Sequence, residues 1–327
     1  MQYRQFGNTD LRVSEIGFGA WAIGGGSMIG NTSIGWGDSD DAVSIKAIHA
    51  ALDAGINFFD TADIYGLGHS EELLGKTIGK NKEILIASKG GNVSRNNQFT
   101  TDYSKEHILF ACEQSLRRLR RETIDHYQLH SARLSQLQEG DCIEAMQLLQ
   151  QQGKIRYWGL SLNTFEPVED AAYLLQHKLG NGFQLVFNLL NQKALPVMKQ
   201  AAEEGYGIIA RMPLQFGLLT GKFDNETSFA DNDHRKNRLT PGVISAANKA
   251  LEKTWELCSV YGCTKTQLAL SFILSHPQVA VIIPGIRTPE QVSLNTKGLF
   301  RCKPGHLKAM EEEQELEEIM KLIRQQG

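Results

Sequence analysis

The sequence predicts an eight-stranded parallel (β/α)8 barrel, the TIM-barrel architecture, with an N-terminal β-hairpin plug, an extra helix after strand seven and a C-terminal helix. Three observations carry this prediction. Eight short apolar runs recur along the 327 residues. They are rich in Ile, Val and aromatic residues and do not alternate strictly, the pattern of strands buried on both faces of a parallel sheet. Amphipathic helical patterns separate them, and strand–helix alternation builds βαβ units. No Pro/Gly/Ser-rich linker divides the chain, so residues 1–327 read as one barrel domain of ordinary size.

The elements follow in order. Residues 3–13, YRQFGNTDLRV, read as a hairpin turning at Gly7-Asn8-Thr9-Asp10 and placed to plug the barrel bottom. The eight strands are expected at IGFGAW (16–21), INFF (56–59), EILIAS (83–88), HYQL (126–129), RYWGL (156–160), FQLVF (183–187), GIIA (207–210) and VAVII (279–283). In the helix expected at 104–120, Ser104 is the N-cap, and Ile108, Cys112, Leu116 and Leu119 share a face. The helix at 141–154 repeats the design with Ile143, Met146 and Leu149, and Gly153 ends it. A third, 171–180, also ends on a glycine. Residues 213–242 form a long polar segment after strand seven, a length that marks a functional or disordered loop. Residues 243–261 read as one extra helix. The tail, GHLKAMEEEQELEEIMKLIRQQ, reads as a final helix on the outside.

Composition bounds the function. A net charge of −3, with 41% apolar and 22% charged residues, describes a globular protein and argues against a nucleic-acid or anionic-membrane surface. Five scattered cysteines with no CxxC or zinc spacing, and no signal-like or membrane-length apolar stretch, point to reduced thiols in the cytoplasm.

A barrel places its chemistry at the C-terminal strand ends. The stretch FFDTADIYGLGHSEELLG (58–75) ends strand two at Asp60 and carries Tyr65 in the loop beyond. Strand three ends in Ser88-Lys89-Gly90-Gly91, strand four in His130, strand five in Ser161 with Asn163 behind it, and strand seven in Arg211. Strand eight runs into Pro284-Gly285-Ile286-Arg287. Neighbouring strands lie about 4.8 Å apart, so Lys89 is the expected partner of Asp60. A buried carboxylate needs such a partner. The Lys89 ammonium beside Tyr65 is expected to lower the phenol pKa from about 10, making it a proton donor or acceptor near neutrality. His130 is placed to orient a substrate oxygen.

Asp60, Tyr65, Lys89 and His130 in this order resemble the catalytic tetrad of the aldo-keto reductases. The resemblance extends to SKGG (88–91), Leu129-His130, PLQFGLLTGK (213–222) and IIPGIRTPEQVSLN (282–295), and spans about residues 3–297. The pattern is most similar to bacterial NADPH-dependent members and potassium-channel β-subunits. It implies hydride transfer between NADP(H) and an aldehyde or ketone, with Tyr65 as general acid, Lys89 and Asp60 tuning it, His130 orienting the carbonyl, and no metal. It further implies a cofactor site. Gly19, Ala20 and Trp21 lie below the nicotinamide, and Ser161 and Gln184 hold its carboxamide. The segment containing Pro213, Leu214, Gly217, Leu218, Gly221 and Lys222 wraps the pyrophosphate. Gly285, Arg287 and Thr288 face the adenosine phosphate, and Gln291 and Asn295 lie near the adenine. Arg287, with no acidic residue at 284–289, points to NADPH over NADH.

This chain departs from the family pattern twice. Ser161 and Asn163 are split by Leu162. Arg211 stands where the family often stacks an aromatic ring, and its charge disfavours the oxidised, positive nicotinamide. Two other functions compete: a Schiff-base aldolase or isomerase on Lys89, and a slow NADPH-holding redox sensor. Gly17–Ala22 matches a relaxed dinucleotide fingerprint without the helix it needs. Tyr261 and Lys265 imitate a dehydrogenase pair far from any strand end. HRKNR (234–238) has two readings, a phosphate-binding run and, favoured over it, a solvated loop. The loops at 22–38, 90–104 and 131–140 are polar and lean towards polar aldehydes or sugars as substrates. Monomer and homo-oligomer both stay open.

Overall fold

In the computed structural model, the structure describes residues 1–30, 32–224, 226–231, 233–312 and 316–326. All eight expected strands form. They are Phe18–Gly19, Phe58–Asp60, Leu85–Gly90, Ile124–His130, Ile155–Ser161, Gly182–Val186, Gly207–Arg211 and Val281–Ile283, hydrogen-bonded in sequence order and parallel throughout. The last strand returns to the first through Gly17 N–H to Ile282 O at 2.7 Å and Gly19 N–H to Pro284 O at 3.0 Å, which closes the barrel. Among the described residues no helix is long and apolar enough to cross a membrane.

The N-terminal hairpin pairs Tyr3–Gln5 with Arg12–Ser14 antiparallel. It carries Phe6, Leu11 and Val13 into a cluster with Phe58, Leu85, Ala87, Ile209 and Val281 inside the barrel bottom. Phe6 stacks on Phe58 at 6.5 Å and meets His126 edge-on at 5.0 Å. It fits because Gly182 and Gly207 leave space: a Cβ at Gly182 would come within 2.7 Å of its ring, and one at Gly207 within 2.5 Å. Phe6→Ala is expected to destabilise the protein by about 3–5 kcal/mol, because the vacated volume is walled by a closed barrel that cannot collapse. The chemical-denaturation midpoint measures this.

Ser104 caps the helix Lys105–Leu119, accepting from His107 N–H, and Ile108, Cys112, Leu116 and Leu119 are buried on one face. The helix Asp141–Gln151 buries Ile143, Met146 and Leu149. Three helical expectations shift. The third helix spans Val168–Gln176, ending short of Gly180 because Lys178 already turns into the left-handed region at φ 53°. The extra helix is two, Pro241–Ala250 and Glu252–Tyr261, meeting at the buried Leu251. The tail forms Pro304–Glu311 and Leu316–Gln326, and its residues 313–315 lie outside the described residues. Ile319, Met320 and Ile323 bury this last helix.

The helix after Tyr65, His69–Ile78, crosses Lys105–Leu119 closely, and a Cβ at Gly75 would meet Arg118 O at 2.0 Å. The crossing buries Glu71 completely, bonded to Arg118 Nε at 2.7 Å and to the Ser88 hydroxyl. The FFDTADIYGLGHSEELLG stretch thus fixes the Tyr65 loop from both ends: strand pairing before it and a locked helix crossing after it.

Candidate active site

Asp60 stands at the centre of the barrel mouth, 2% exposed, and Lys89 beside it is fully buried. Lys89 Nζ donates to Asp60 Oδ1 at 2.6 Å, to Thr61 O at 2.8 Å and to the Tyr65 hydroxyl at 3.4 Å. Those three bonds use every ammonium hydrogen. The other Asp60 oxygen accepts from Gln184 Nε2 at 2.7 Å and Gln128 Nε2 at 3.3 Å. Strands two, three, four and six therefore meet on one carboxylate. Burial works against the Lys89 charge, but Asp60 and Tyr65 together outweigh it and raise the lysine pKa, so the ammonium persists.

Tyr65 follows on a short turn in which Gly66 and Leu67 take left-handed backbone angles, φ 62° and 53°. The Lys89 ammonium lies 5.0 Å from its ring centroid. The expected lowering of its pKa is not what the environment produces. Burial raises it, the nearby Lys89 lowers it, Asp60 raises it again, and the sum is a rise. The reason is that burial of the phenol outweighs the attraction of Lys89, whose field Asp60 partly cancels. At neutral pH Tyr65 is a neutral phenol with a proton to give. His130 meets it edge-on at 5.9 Å. Burial, then Lys89 and Arg211, hold the His130 pKa well below its usual value, so the imidazole is neutral.

A cavity of about 560 Å³ opens above these groups and runs from strand one to the helix after strand eight. Every residue assigned to the site from sequence lines it except Lys89, Leu218, Gly221 and Thr288. Lys89 lies beneath Asp60 and Tyr65. Leu218 packs into the core at 2% exposure. Gly221, at φ 72°, ends the turn Gln215–Thr220. The Thr288 hydroxyl caps the helix Pro289–Thr296, accepting from Gln291 N–H, while the Gln291 side chain accepts from Arg287 N–H at 2.7 Å. Thr288 and Gln291 thus brace the backbone that carries Arg287. Asn163, split from Ser161, caps its own turn by accepting from Phe165 N–H and Glu166 N–H at 2.9 and 3.1 Å. Arg211 is tied across the mouth to Leu162 O at 3.0 Å and Thr164 Oγ1 at 3.2 Å, which leaves its buried Nε without a protein partner.

The wall is strongly cationic. Arg211, Lys222, Arg235, Arg238 and Arg287 line the cavity, against one carboxylate, Asp60, already neutralised by Lys89. Such a wall fits an anionic dinucleotide with its pyrophosphate. On the tetrad side the wall is mixed: Trp21, Ile34, Ile64 and Phe99 with Ser33, Asn92 and Ser131. Two ribbons build it. Met28–Ile29 pairs with Thr32–Ser33, Asn92–Arg95 pairs with Gln98–Thr101, and the two meet where Gly30 N–H donates to Asn97 Oδ1 at 2.9 Å.

Sequence reasoning missed three features. The amides of Gln128 and Gln184 on Asp60 carried no local signal, because each is one polar residue inside an apolar strand. Glu71 under Ser88 reads as an ordinary exposed helix residue. HRKNR, expected in solvent, instead places His234 3% exposed against Trp21, Trp36 and Phe216, with Arg235 paired to Asp233. Aromatic residues distant in sequence bury that histidine, and its own neighbours in sequence are charged.

A model of the "Aldo/keto reductase family" matches residues 15–312. The chain is 34% identical to "Aldo-keto reductase YhdN" of Bacillus subtilis (strain 168), over 89% of this chain and 87% of that protein. It is 28% identical to the "NADH-specific methylglyoxal reductase" of Escherichia coli (strain K12), over 90% and 92%. The solved structure of "the glycerol dehydrogenase AKR11B4 from Gluconobacter oxydans" superposes with a TM-score of 0.79 at 29% identity, covering 95% of this chain and 94% of that one. With the tetrad geometry, the closed parallel barrel and a family match across nearly its whole length, the chain belongs to the aldo/keto reductase family.

Proposed function

We propose that the protein reduces aldehyde or ketone carbonyls with NADPH, using Tyr65 as the general acid. The observation that supports this most directly is the neutral, half-buried Tyr65 phenol 3.4 Å from a fully buried, charged Lys89. When bound, the dinucleotide supplies the hydride, and the chain supplies the proton and the geometry. The Tyr65 O–H points its proton at the carbonyl oxygen. As that proton leaves, Lys89 stabilises the growing phenolate charge, and Asp60 keeps Lys89 protonated and in place. The neutral His130 imidazole offers an N–H to the same oxygen. Ser161, 1% exposed, and Gln184 orient the reactive ring at the floor of the cavity. A Schiff-base role for Lys89 is disfavoured, since its nitrogen is fully buried and its three hydrogens are all engaged. A carbonyl panel followed by NADPH absorbance tests the reading; no turnover of any aldehyde or ketone, in steady state or in a single turnover, removes it.

Cofactor choice cannot come from family membership, because a relative is named for NADH specificity. It rests on Arg287. Its guanidinium lies at the cavity wall, 3.4 Å from the carbonyl oxygens of Trp36 and Asp38, contacts long enough for a phosphate to replace. A charge-assisted hydrogen bond contributes about 1.5–3 kcal/mol. Arg287→Ala is therefore expected to weaken NADPH roughly 10- to 150-fold and leave NADH nearly unchanged. Fluorescence titration of both cofactors reads this; equal losses would make Arg287 a structural residue.

A further inference from the structure

Tyr65 is one member of an aromatic stack. The Trp21 indole lies 5.7 Å from the Tyr65 ring at an interplanar angle of 20°, and 4.7 Å from the His234 imidazole at 17°. Trp36 stands edge-on to both Trp21, at 5.5 Å, and His234, at 4.6 Å. Phe216 meets His234 at 4.9 Å. The three parallel rings come from three separate loops: after strand one, after strand two, and the long segment after strand seven.

That long segment has little regular structure of its own, yet it is pinned at His234. Asp233 bridges antiparallel to Trp36. Arg235 pairs with Asp233 and lies 5.1 Å over Trp36 and 4.7 Å over Phe229. Arg238 Nη1 lies 3.0 Å from His234 Nδ1. Burial, then Arg238, lowers the His234 pKa to about 3, so the ring is a neutral plate at working pH. Trp21 Nε1 donates to Ile34 O at 2.8 Å, which fixes one edge of the indole and leaves its tilt to the rings on its faces.

We propose that His234 is a positioning residue for proton transfer, holding Trp21 against the Tyr65 ring and thereby aiming the phenol hydroxyl. The inference rests on Tyr65 being the acid. The hydroxyl needs such help, because its contact with Lys89 is long, 3.4 Å, and its backbone is a two-residue left-handed turn. A misplacement of about 1 Å at a reacting group costs up to about 10²-fold in rate. A histidine that merely closed the loop over the cavity would affect cofactor affinity and not the chemical step.

The test compares the full-length parent with His234→Ala and His234→Phe. Single-turnover reduction of an aldehyde at saturating NADPH is measured beside the NADPH dissociation constant. Independently of turnover, the ionisation of Tyr65 is followed by NMR in protein carrying ring-13C tyrosine, with Tyr65→Phe assigning the signal. In His234→Ala the single-turnover rate is expected to fall roughly 10- to 30-fold, with NADPH affinity within about 3-fold. The Tyr65 pKa should fall towards the free-phenol value as water reaches the loosened ring. His234→Phe, which keeps a flat ring and removes both nitrogens, should restore most of the rate. An unchanged rate in His234→Ala, a loss confined to NADPH affinity, or a His234→Phe variant as slow as His234→Ala would each overturn the proposal. If the parent reduces no carbonyl, the functional reading fails by itself, and an unmoved Tyr65 signal in His234→Ala would still overturn the stack.

Discussion

Tyr65→Phe lowers carbonyl reduction by about 10²- to 10⁴-fold, the usual contribution of a general acid, and leaves NADPH binding within a few-fold. The ring stays, so its stack on Trp21 and its edge contact with His130 stay; only the hydroxyl 3.4 Å from Lys89 is lost. Stopped-flow single turnovers with separate cofactor titration read the two quantities apart. A variant within a few-fold of the parent would remove Tyr65 from the chemistry. The same group sets a pH dependence whose sign follows from its environment. Burial raises the phenol pKa more than Lys89 lowers it, so the proton-bearing form prevails through neutrality. The kcat/KM for reduction is therefore expected to hold through pH 8 and to fall only above the free-phenol value of about 10. An alkaline fall between pH 7 and 8 would mean that Lys89 dominates after all.

Lys89→Met removes both the field on Tyr65 and the partner of Asp60. Activity is expected to fall as far as in Tyr65→Phe. Stability falls too, because breaking one side of a buried ion pair costs about 3–5 kcal/mol. Asp60 keeps its two amide donors, Gln128 and Gln184, but is left a buried carboxylate without its charge partner. Adding Asp60→Asn should recover part of the stability at pH 7 and none of the activity. A Lys89→Met protein as stable as the parent would show that the pair contributes nothing to the fold.

Much of this was legible in the chain. Strands buried on both faces announce themselves as unbroken apolar runs, and all eight were readable, as was the Ser104 cap. The tetrad was readable because strand ends and short spacings dictate which side chains share a barrel mouth. What was not legible depends on elements distant in sequence. The break at Leu251 carries no glycine or proline. The sign of the Tyr65 shift is a balance of burial, Lys89 and Asp60, and burial cannot be summed from neighbours in sequence. His234 sits in a run of charge, and Phe216 with Trp21 and Trp36, the last two roughly two hundred positions earlier, make it a buried ring.

The hairpin plug has a consequence for how the molecule comes into being. Arg4 donates to the carbonyl oxygens of Leu274, His276 and Val279, and Phe6 rests against Gly182 and Gly207. Arg4 thus has its acceptors 270 to 275 positions further along the chain. At about 5–20 residues per second, roughly 15–55 seconds separate the synthesis of Arg4 from that of its acceptors. Phe58, Leu85 and Ala87 are made early in that interval, but Ile209 and Val281, which complete the surface that buries Phe6, Leu11 and Val13, come later. Contacts of such sequence separation also form late for entropic reasons. The hairpin therefore completes its packing late, and a nascent chain carrying it is a natural client for a chaperone that shields exposed apolar segments.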